Sequence, residues 1–199
     1  MTNIAVNLVG ILYNIQLMRF EGQDGVAAYG VMMYVSMIFS SVFVGFSMGS
    51  APIVGYHDGA GNHSELKSIL KKSIYIISVS GILMLLSAEL LAEPISLAFV
   101  GYDKRLLDMT VSGMRIFALS FAFLGFGIFV SGFFTALNDG LTSAIIAFLR
   151  TVVFQSAAIL ILPELFEING VWISVIVAEF MAFVLGVIFL IAKKKKFGY

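Results

Sequence analysis

Apolar and polar residues occur along this chain in long alternating blocks. Six apolar stretches are separated by short segments rich in Gly, Asp, Asn and charged residues. A helix of about 20 apolar residues spans the roughly 30 Å hydrocarbon core of a bilayer, and the blocks are long enough to do this. The pattern predicts an all-α integral membrane protein, a single membrane domain over residues 1–199 with transmembrane helices at residues 4–20, 26–56, 74–92, 106–137, 141–162 and 170–192.

The composition agrees with a membrane protein. Hydrophobic residues make up 60% of the 199 residues and charged residues 12%, about half the charged share of a soluble domain. The formal net charge is +0, which gives no general attraction to nucleic acid, so no nucleic-acid partner is expected. The absence of cysteine excludes disulfides and thiolate metal sites. Two histidines are too few for a histidine-rich metal site, so neither a metal nor a cofactor is expected.

The basic residues predict how the chain lies in the bilayer. Lysines close the last span at residues 193–196, and Lys67, Lys71 and Lys72 follow the second. Lys and Arg concentrate on the cytoplasmic side of membrane proteins, and these two groups share a side if every span crosses. We therefore expect a multi-pass plasma (inner) membrane protein with both termini in the cytoplasm.

The first span carries an unusual polar stripe. Asn3, Asn7, Gly10 and Asn14 are spaced four, three and four residues apart and so share one helix face. Such amides either hydrogen-bond to neighbouring helices or line a solvated cavity, and both readings turn them away from lipid. The span starts at the first residue without a basic flank, so we expect it to be truncated. A signal peptide is disfavoured because no cleavage-site pattern follows.

Two charged residues lie several turns inside predicted spans. Arg150 lies roughly 12 Å into the fifth span at the 1.5 Å helical rise, and Glu179 lies inside the sixth. Arg150 could extend to the interface, or it could pair with an acid inside the bundle, where Glu179 is the acid best placed. A carboxylate in hydrocarbon is strongly unfavourable, so Glu179 should face protein or water. Glu179 is then either a structural anchor for Arg150 or a titrating group, and the anchor is favoured.

Small residues predict close packing or bending at two places. Ser41, Gly45 and Gly49 form a small-xxx-small ladder in the second span, which is typical of tight helix packing. Pro52 should kink or end that helix because it lacks a backbone donor. Gly125, Gly127, Ser131 and Gly132 allow close approach or bending in the fourth span.

No motif of soluble catalysis is present. The chain has no Walker loop, no His-Glu-x-x-His and no nucleophile elbow. The sequence therefore predicts that the chain is not an enzyme.

The segment after the second span resembles a known signature. Pro52, Gly55, Gly59, Ala60 and Asn62 match the Pro-x-x-Gly-x-x-x-Gly-Ala-x-Asn loop of multidrug and toxic compound extrusion (MATE) transporters. In that family the loop follows the second helix of a six-helix lobe on the cytoplasmic side. Further resemblances follow in the family's order, at residues 25–30, 169–172 and 178–179, and the chain is similar to the C-terminal lobe.

The resemblance implies a secondary active antiporter that exports drugs or organic cations by alternating access between two lobes. The missing N-terminal lobe would be a partner, in the same chain or in a second one, alongside the lipid bilayer and a small organic cation. Sodium-coupled members use acids in helices that here carry Asn7 and Asn14, so H+ is favoured over Na+ as the coupling ion. Candidates for one wall of the cavity are Asn3, Asn7, Asn14, Tyr34, Phe121 and Gln155.

Two other functions stay open at this point. The chain could be a non-transporting fragment or a split-gene half that needs a partner lobe, which the abrupt first span favours. It could also be a flippase for lipid-linked saccharides from the same superfamily. The cavity of such a flippase would be more cationic, to hold a pyrophosphate, and only Arg150 and Arg115 could supply that charge here.

Overall fold

The computed structural model describes the backbone of residues 2–199 and the side chains from Asn7 onward. Over this range the chain is helical, with short connections. The helices are α1 (Thr2–Phe20), α2 (Gly22–Gly59), α3 (His63–Val100), α4 (Lys104–Ala118), α5 (Phe121–Ala136), α6 (Gly140–Phe148) and α7 (Gln155–Phe197), with a π-helical segment, Leu149–Phe154, between α6 and α7.

The elements form six passes: α1, α2, α3, the bent pair α4–α5, residues 140–166 and residues 168–197. The continuous stretch Gly140–Phe197 is interrupted at Glu167, where φ is 52° and ψ is −135°. A Cβ on Gly170 would overlap the Leu162 carbonyl oxygen, so the chain folds back on itself across this kink. By length and apolarity, α2, α3 and Gly140–Phe197 could each cross a membrane, and so could the bent pair α4–α5. Five of the predicted spans lie within helical regions, and the span at residues 106–137 covers α4, the break after it and α5, while the membrane boundaries stay predictions.

The bend in the fourth pass lies at a different place from the expected one. Helices α4 and α5 meet at 48°, and the break is at Leu119 and Ser120, before the glycines. Backbone bonds from Ser120 N to Phe117 O (2.9 Å) and Phe123 N to Ser120 O (3.0 Å) have the i→i−3 pattern there. The tighter turn changes the direction of the helix.

The glycines of α5 serve close packing instead. A Cβ on Gly125 would overlap the Phe43 ring of α2, and a Cβ on Gly132 would overlap the Ser47 hydroxyl. Helix α2 therefore packs on α5 through its Phe43 and Ser47 face. The expected small-residue ladder lies elsewhere on α2. Ser41, Gly45 and Gly49 are exposed, and nothing lies within 4 Å of a Cβ on either glycine, so the close packing expected of the ladder does not occur within this lobe.

Pro52 does not end its helix, since α2 continues to Gly59. The proline removes a single backbone donor, and the helix is continuous on both sides of it. The turn at residues 138–140 is confirmed. Asn138 has φ 57°, and the Asp139 carboxylate accepts a hydrogen bond from Thr142 N at 3.4 Å as the cap of α6.

Polar contacts between the turns and the helix ends stabilise the two ends of the bundle. At the end that contains Lys193–Lys196, the lysine end, Lys193 Nζ lies 3.2 Å from Asp139 Oδ2. His63 Nδ1 lies 2.9 Å from the Phe197 carbonyl oxygen.

At the opposite end, Arg105 pairs with Glu21 at 3.0 Å, and Arg19 pairs with Glu164. Alternate connections thus meet at alternate ends, as six successive antiparallel passes require.

Candidate functional site

An ion pair links the last two passes in the interior of the lobe. Arg150 Nε donates to Glu179 Oε2 and Arg150 Nη2 donates to Glu179 Oε1, both at 2.9 Å. The Glu179 side chain is 2% exposed and that of Arg150 is 18% exposed. This two-point geometry matches the planar guanidinium to the carboxylate and is the strongest form of such a pair. Arg150 therefore turns inward to an acid instead of extending to the interface.

The pair lies near the middle of the bundle's length. At 1.5 Å per residue, Arg150 is about 15 Å from the start of α6 and Glu179 about 18 Å from the Glu167 kink. Half the hydrocarbon thickness of a bilayer is about 15 Å. Neither charge reaches an end of the bundle, so each depends on the other for compensation.

Local backbone features place Arg150. It belongs to the π-helical segment Leu149–Phe154, whose wider turn interrupts the α-helical pattern of the fifth pass. Such segments are frequent at functional sites. On the facing helix α5, a Cβ on Gly127 would lie 2.9 Å from Arg150 Cδ and 3.0 Å from its Nε. Because Gly127 has no side chain, there is space for the Arg150 side chain to extend to Glu179.

A cavity of about 330 Å³ opens beside the pair. One face of α2 contributes Tyr29, Met33, Ser36, Ser40 and Val44, which follow helical spacing. The remaining lining residues come from α1, α4–α5 and the last two passes: Val9, Gly10, Phe117, Ser120, Leu124, Ile128, Arg150, Thr151, Gln155, Val175 and Glu179. The walls are largely apolar, with a small set of hydroxyl, amide and charged groups that converge on one region, as is typical of ligand sites.

The charges of the cavity sum to zero while the pair is intact. Removing one partner would leave the other charge buried without compensation, which is strongly destabilising. A ligand that carries a positive charge could interact with Glu179 only by sharing it with Arg150 or by displacing Arg150. The site therefore holds its two charges in place, and its hydroxyl and amide groups line the cavity where a ligand could contact them.

A second polar contact lies behind the cavity wall. The Tyr13 and Ser174 hydroxyls are 2.9 Å apart in a buried environment. Ser174 also donates to the Val171 carbonyl oxygen at 2.6 Å. The Tyr13 ring stacks on Tyr29, which lines the cavity, with ring centroids 5.0 Å apart. This contact connects α1, α2 and the last pass.

Only some of the residues predicted to line the cavity do so in the structure. Gln155 lines the cavity. Tyr34 is exposed and stacks on Phe99, whereas Phe121 is fully buried with its ring edge-on to Phe39. Neither lines this cavity.

The asparagine stripe is exposed where its side chains are described. Asn7 and Asn14 are exposed on the α1 face that carries Gly10, a lining residue. The Asn3 side chain lies outside the described residues. The role of the stripe in transport stays a prediction.

Sequence reasoning missed the serines. Ser36 and Ser40 line the cavity, and their four-residue spacing places them on one face of α2. That spacing, together with Met33 and Tyr29 one and two turns earlier, is a signal that the sequence contained. Ser120 had no comparable signal, because its position depends on the bend between α4 and α5.

The loop motif forms the tight connection between α2 and α3 at the lysine end. Asn62 caps α3 by accepting a hydrogen bond from Glu65 N at 3.3 Å. Gly61, with φ +66°, provides the left-handed residue of the turn. A Cβ on Gly55 would lie 3.4 Å from the Ala136 carbonyl oxygen, so this part of α2 runs close to the end of α5. Pro52, Gly59 and Ala60 are exposed. No group of three His, Cys, Asp or Glu side chains in the described part of the chain could hold a metal ion.

Most of the chain matches the model of a known protein family. The MatE family model matches residues 1–158. The chain belongs to the MatE family. This membership and the apolar passes identify a multi-pass membrane protein with the fold of a transporter family. No curated protein matches the chain.

Solved structures show the same fold. An inward-facing multidrug resistance MATE transporter matches with a TM-score of 0.92 and 18% identity, covering 99% of this chain and 46% of that chain. An outward-facing structure with the same description matches with a TM-score of 0.87 and 20% identity, covering 98% and 45%. A MOP superfamily transporter from Pyrococcus furiosus, reported with a binding pocket of reversed polarity, matches with a TM-score of 0.90 and 18% identity, covering 100% and 45%. This MatE chain thus spans less than half the length of the transporters it matches and has the fold of a single lobe.

Proposed function

We propose that the chain is the C-terminal lobe of a secondary active antiporter in the plasma membrane. It exports drugs or other small organic cations in exchange for protons by alternating access, with the lysine end and both termini in the cytoplasm. The observation that carries this proposal is the mid-depth cavity beside the Arg150–Glu179 pair, in a lobe with the MatE fold. Transporters of this general design bind their substrates near the bilayer midplane between two related halves.

The cavity suits a bulky organic cation better than a strongly charged anion. Glu179 attracts positive charge, while Arg150 prevents the carboxylate from holding a small cation too tightly. Aromatic and apolar walls, among them Tyr29 and Phe117, supply surface for a hydrophobic ligand body. Hydroxyl groups on Ser36 and Ser40 provide contacts that fix its orientation.

Two exposed surfaces support a partner lobe. Ser41, Gly45 and Gly49 form a small-residue ladder on the outside of α2, and Asn7 and Asn14 are exposed on α1. Amides are unfavourable against acyl chains, and small-residue ladders are typical of helix–helix interfaces. A second six-helix lobe, in the same polypeptide or in another chain, would cover both. The lobe also superposes well on outward-facing and inward-facing structures, which supports movement of this lobe as one rigid unit.

Protons are favoured over sodium as the coupling ion. The first pass contains no acidic residue, and the only acid in the central turns of the last pass is Glu179, which Arg150 holds. A sodium site would need several oxygen ligands with net negative charge. We therefore assign Glu179 an anchoring role and place proton coupling in the partner lobe.

Efflux measurements test this proposal. The chain, joined to or co-expressed with the lobe that completes it, would be assayed in vesicles with ethidium as the probe cation, under a proton gradient or a sodium gradient. Ethidium movement driven by the proton gradient alone is expected. Gln155→Leu should reduce it several-fold, while Gln23→Leu, an exposed glutamine at the start of α2 outside the cavity, should not.

Other outcomes separate the alternative functions. Movement of a lipid-linked saccharide without ethidium transport would identify a flippase, although Glu179 neutralises the arginine that such a cavity would use for a pyrophosphate. The absence of any transport by the paired lobes, with normal protein levels, would identify a non-transporting fragment. Transport driven by sodium alone would contradict the assignment of the coupling ion.

A further inference from the structure

A second groove opens at the lysine end, on the outside of the lobe. It has a volume of about 470 Å³ and shares no lining residue with the central cavity. Helices α3 and α7 form its walls, and Phe126 of α5 forms its floor, packed against Phe183 with ring centroids 4.6 Å apart. The lining is Lys67, Leu70, Lys71, Ile74, Ser78, Phe126, Phe183, Val187, Leu190, Ile191, Lys194 and Tyr199.

The groove has the length of one leaflet's acyl chains. Its α3 wall runs from Lys67 to Ser78 and its α7 wall from Lys194 to Phe183, both at helical spacing. Each wall therefore extends about 16 Å at 1.5 Å per residue. Half the hydrocarbon core of a bilayer is about 15 Å thick. The lysines stand at the end of the bundle, and the apolar part of the groove reaches toward the membrane centre.

The lysines of the groove are free to bind a ligand. Among the described residues, Lys67, Lys71 and Lys194 form no ion pair, and no acidic side chain lines the groove. Their neighbours differ, because Lys193 and Lys196 both approach Asp139, at 3.2 and 3.6 Å. Of the four lysines at 193–196, two therefore hold the turn before α6, and Lys194 alone lines the groove.

We infer that this groove is a binding site for one anionic phospholipid from the leaflet at the lysine end. The acyl chains lie along Ile74, Val187 and Phe126, and the phosphate is held by Lys67, Lys71 and Lys194. Basic pockets between membrane helices on the cytoplasmic side are suited to such headgroups. A free phosphate would use the lysines and leave the apolar walls bare, whereas a neutral lipid would leave the lysines without a counter-charge. The inference needs only that the lobe lies in a membrane and is independent of what it transports.

Native mass spectrometry of the purified chain in detergent tests the site. The probes are palmitoyl-oleoyl phosphatidylglycerol, phosphatidylcholine with the same chains, and glycerol phosphate as a headgroup without chains. The wild type should bind one phosphatidylglycerol in preference to phosphatidylcholine. The variant K67Q/K194Q should bind phosphatidylglycerol about 25-fold more weakly, since each lysine near an anionic headgroup contributes a factor of about five.

The control is K104Q/K195Q, which removes the same charge at positions outside the groove. It should keep its affinity for phosphatidylglycerol within about two-fold of the wild type. An equal loss in both double variants would overturn the inference, because net charge alone would then explain binding. Equal affinity of the wild type for the two lipids would also overturn it. Competition by glycerol phosphate as effective as that by the whole lipid would identify a site for soluble anions and contradict a lipid site.

Discussion

Gly127 of α5 lies against the side chain of Arg150, so close that a Cβ at this position would be 2.9 Å from Arg150 Cδ. The glycine keeps open the route by which Arg150 reaches Glu179. Its role is therefore steric, and the geometry of the buried ion pair depends on a residue that makes no polar contact with it.

Substitution of Gly127 by leucine should displace Arg150 and weaken the pair. Overpacking of a well-packed interior lowers the free energy of unfolding by about 1–3 kcal/mol, and we expect a loss of that size. Thermal unfolding in detergent would measure it. The control is Gly45→Ala, at an exposed helical glycine with open space around its Cβ, which should be neutral or slightly stabilising. Equal effects of the two substitutions would contradict the steric role of Gly127.

Breaking the ion pair from one side should destabilise the lobe strongly. Removing one partner of a buried pair typically lowers the free energy of unfolding by about 3–5 kcal/mol, and Glu179→Gln and Arg150→Gln should each do so. The double variant Arg150→Met/Glu179→Leu leaves no uncompensated charge and should recover most of this loss. Thermal unfolding of all three variants makes the comparison.

The same variants test whether Glu179 titrates during transport. An anchoring role predicts that Glu179→Gln lowers protein stability while the pH dependence of transport in the surviving protein stays that of the wild type. A shifted or abolished pH profile in Glu179→Gln would show that this carboxyl takes part in the proton cycle.

Asp139 should make stability depend on pH at the lysine end. Desolvation raises the pKa of its carboxyl, but hydrogen bonds from Lys193 and Thr142 outweigh that effect and hold the pKa below the ordinary 3.8. Because the folded pKa is lower than the unfolded one, the stabilisation is complete above the unfolded value and is lost as pH falls through the folded value.

Asp139→Asn should keep the helix cap and lose this pH dependence. Asp139→Ala should lose the cap as well, at a further cost of about 1 kcal/mol. Thermal unfolding between about pH 6 and pH 3 would compare them, across the ordinary carboxyl pKa near 4. If Asp139→Asn and the wild type lose stability in parallel over this range, the ion pair with Lys193 contributes nothing.

Much of the fold could be predicted from the sequence because lipid imposes strong constraints on composition. Long apolar blocks and short polar connections indicated the passes, and the turn at residues 138–140 followed from its Asn-Asp-Gly pattern. The bend at Leu119 and Ser120 could not be predicted, because no Pro or Gly marks it. The outward orientation of the small-residue ladder on α2 could not be predicted either. Small residues favour close helix packing, but they do not indicate which helix is the neighbour.

The charged residues of the site could be predicted from the sequence, but most of the residues that shape the cavity could not. Arg150 and Glu179 stood out because charges inside apolar spans are rare, but their pairing depends on the π-helical segment and on Gly127. Aromatic residues gave no guide, since Phe121 is in the core and Tyr34 is exposed. An aromatic ring suits both a core and a cavity, so its type alone does not distinguish them.

The exposed asparagines of α1 should matter for transport more than for folding. Asn7→Leu and Asn14→Leu should reduce ethidium efflux by the assembled transporter without lowering the amount of inserted protein. Each amide faces away from the lobe's core, so its loss removes no internal contact. Ile15→Asn, at an exposed α1 position beside Asn14, is the comparison variant. It adds an amide on α1 outside the face that carries Asn7 and Asn14. Unchanged efflux with normal protein levels would remove the stripe from the mechanism.

The most direct test of a transport cavity is the access of water to its wall at membrane depth. The chain has no cysteine, so single cysteines report their own positions. Ser36→Cys lies on the cavity wall, whereas Leu83→Cys lies at an exposed position near the middle of α3 and outside the cavity. In the membrane-embedded transporter, a charged, water-soluble maleimide should label Ser36→Cys and leave Leu83→Cys unlabelled. Labelling of Leu83→Cys with Ser36→Cys protected would contradict an aqueous cavity beside Arg150 and Glu179.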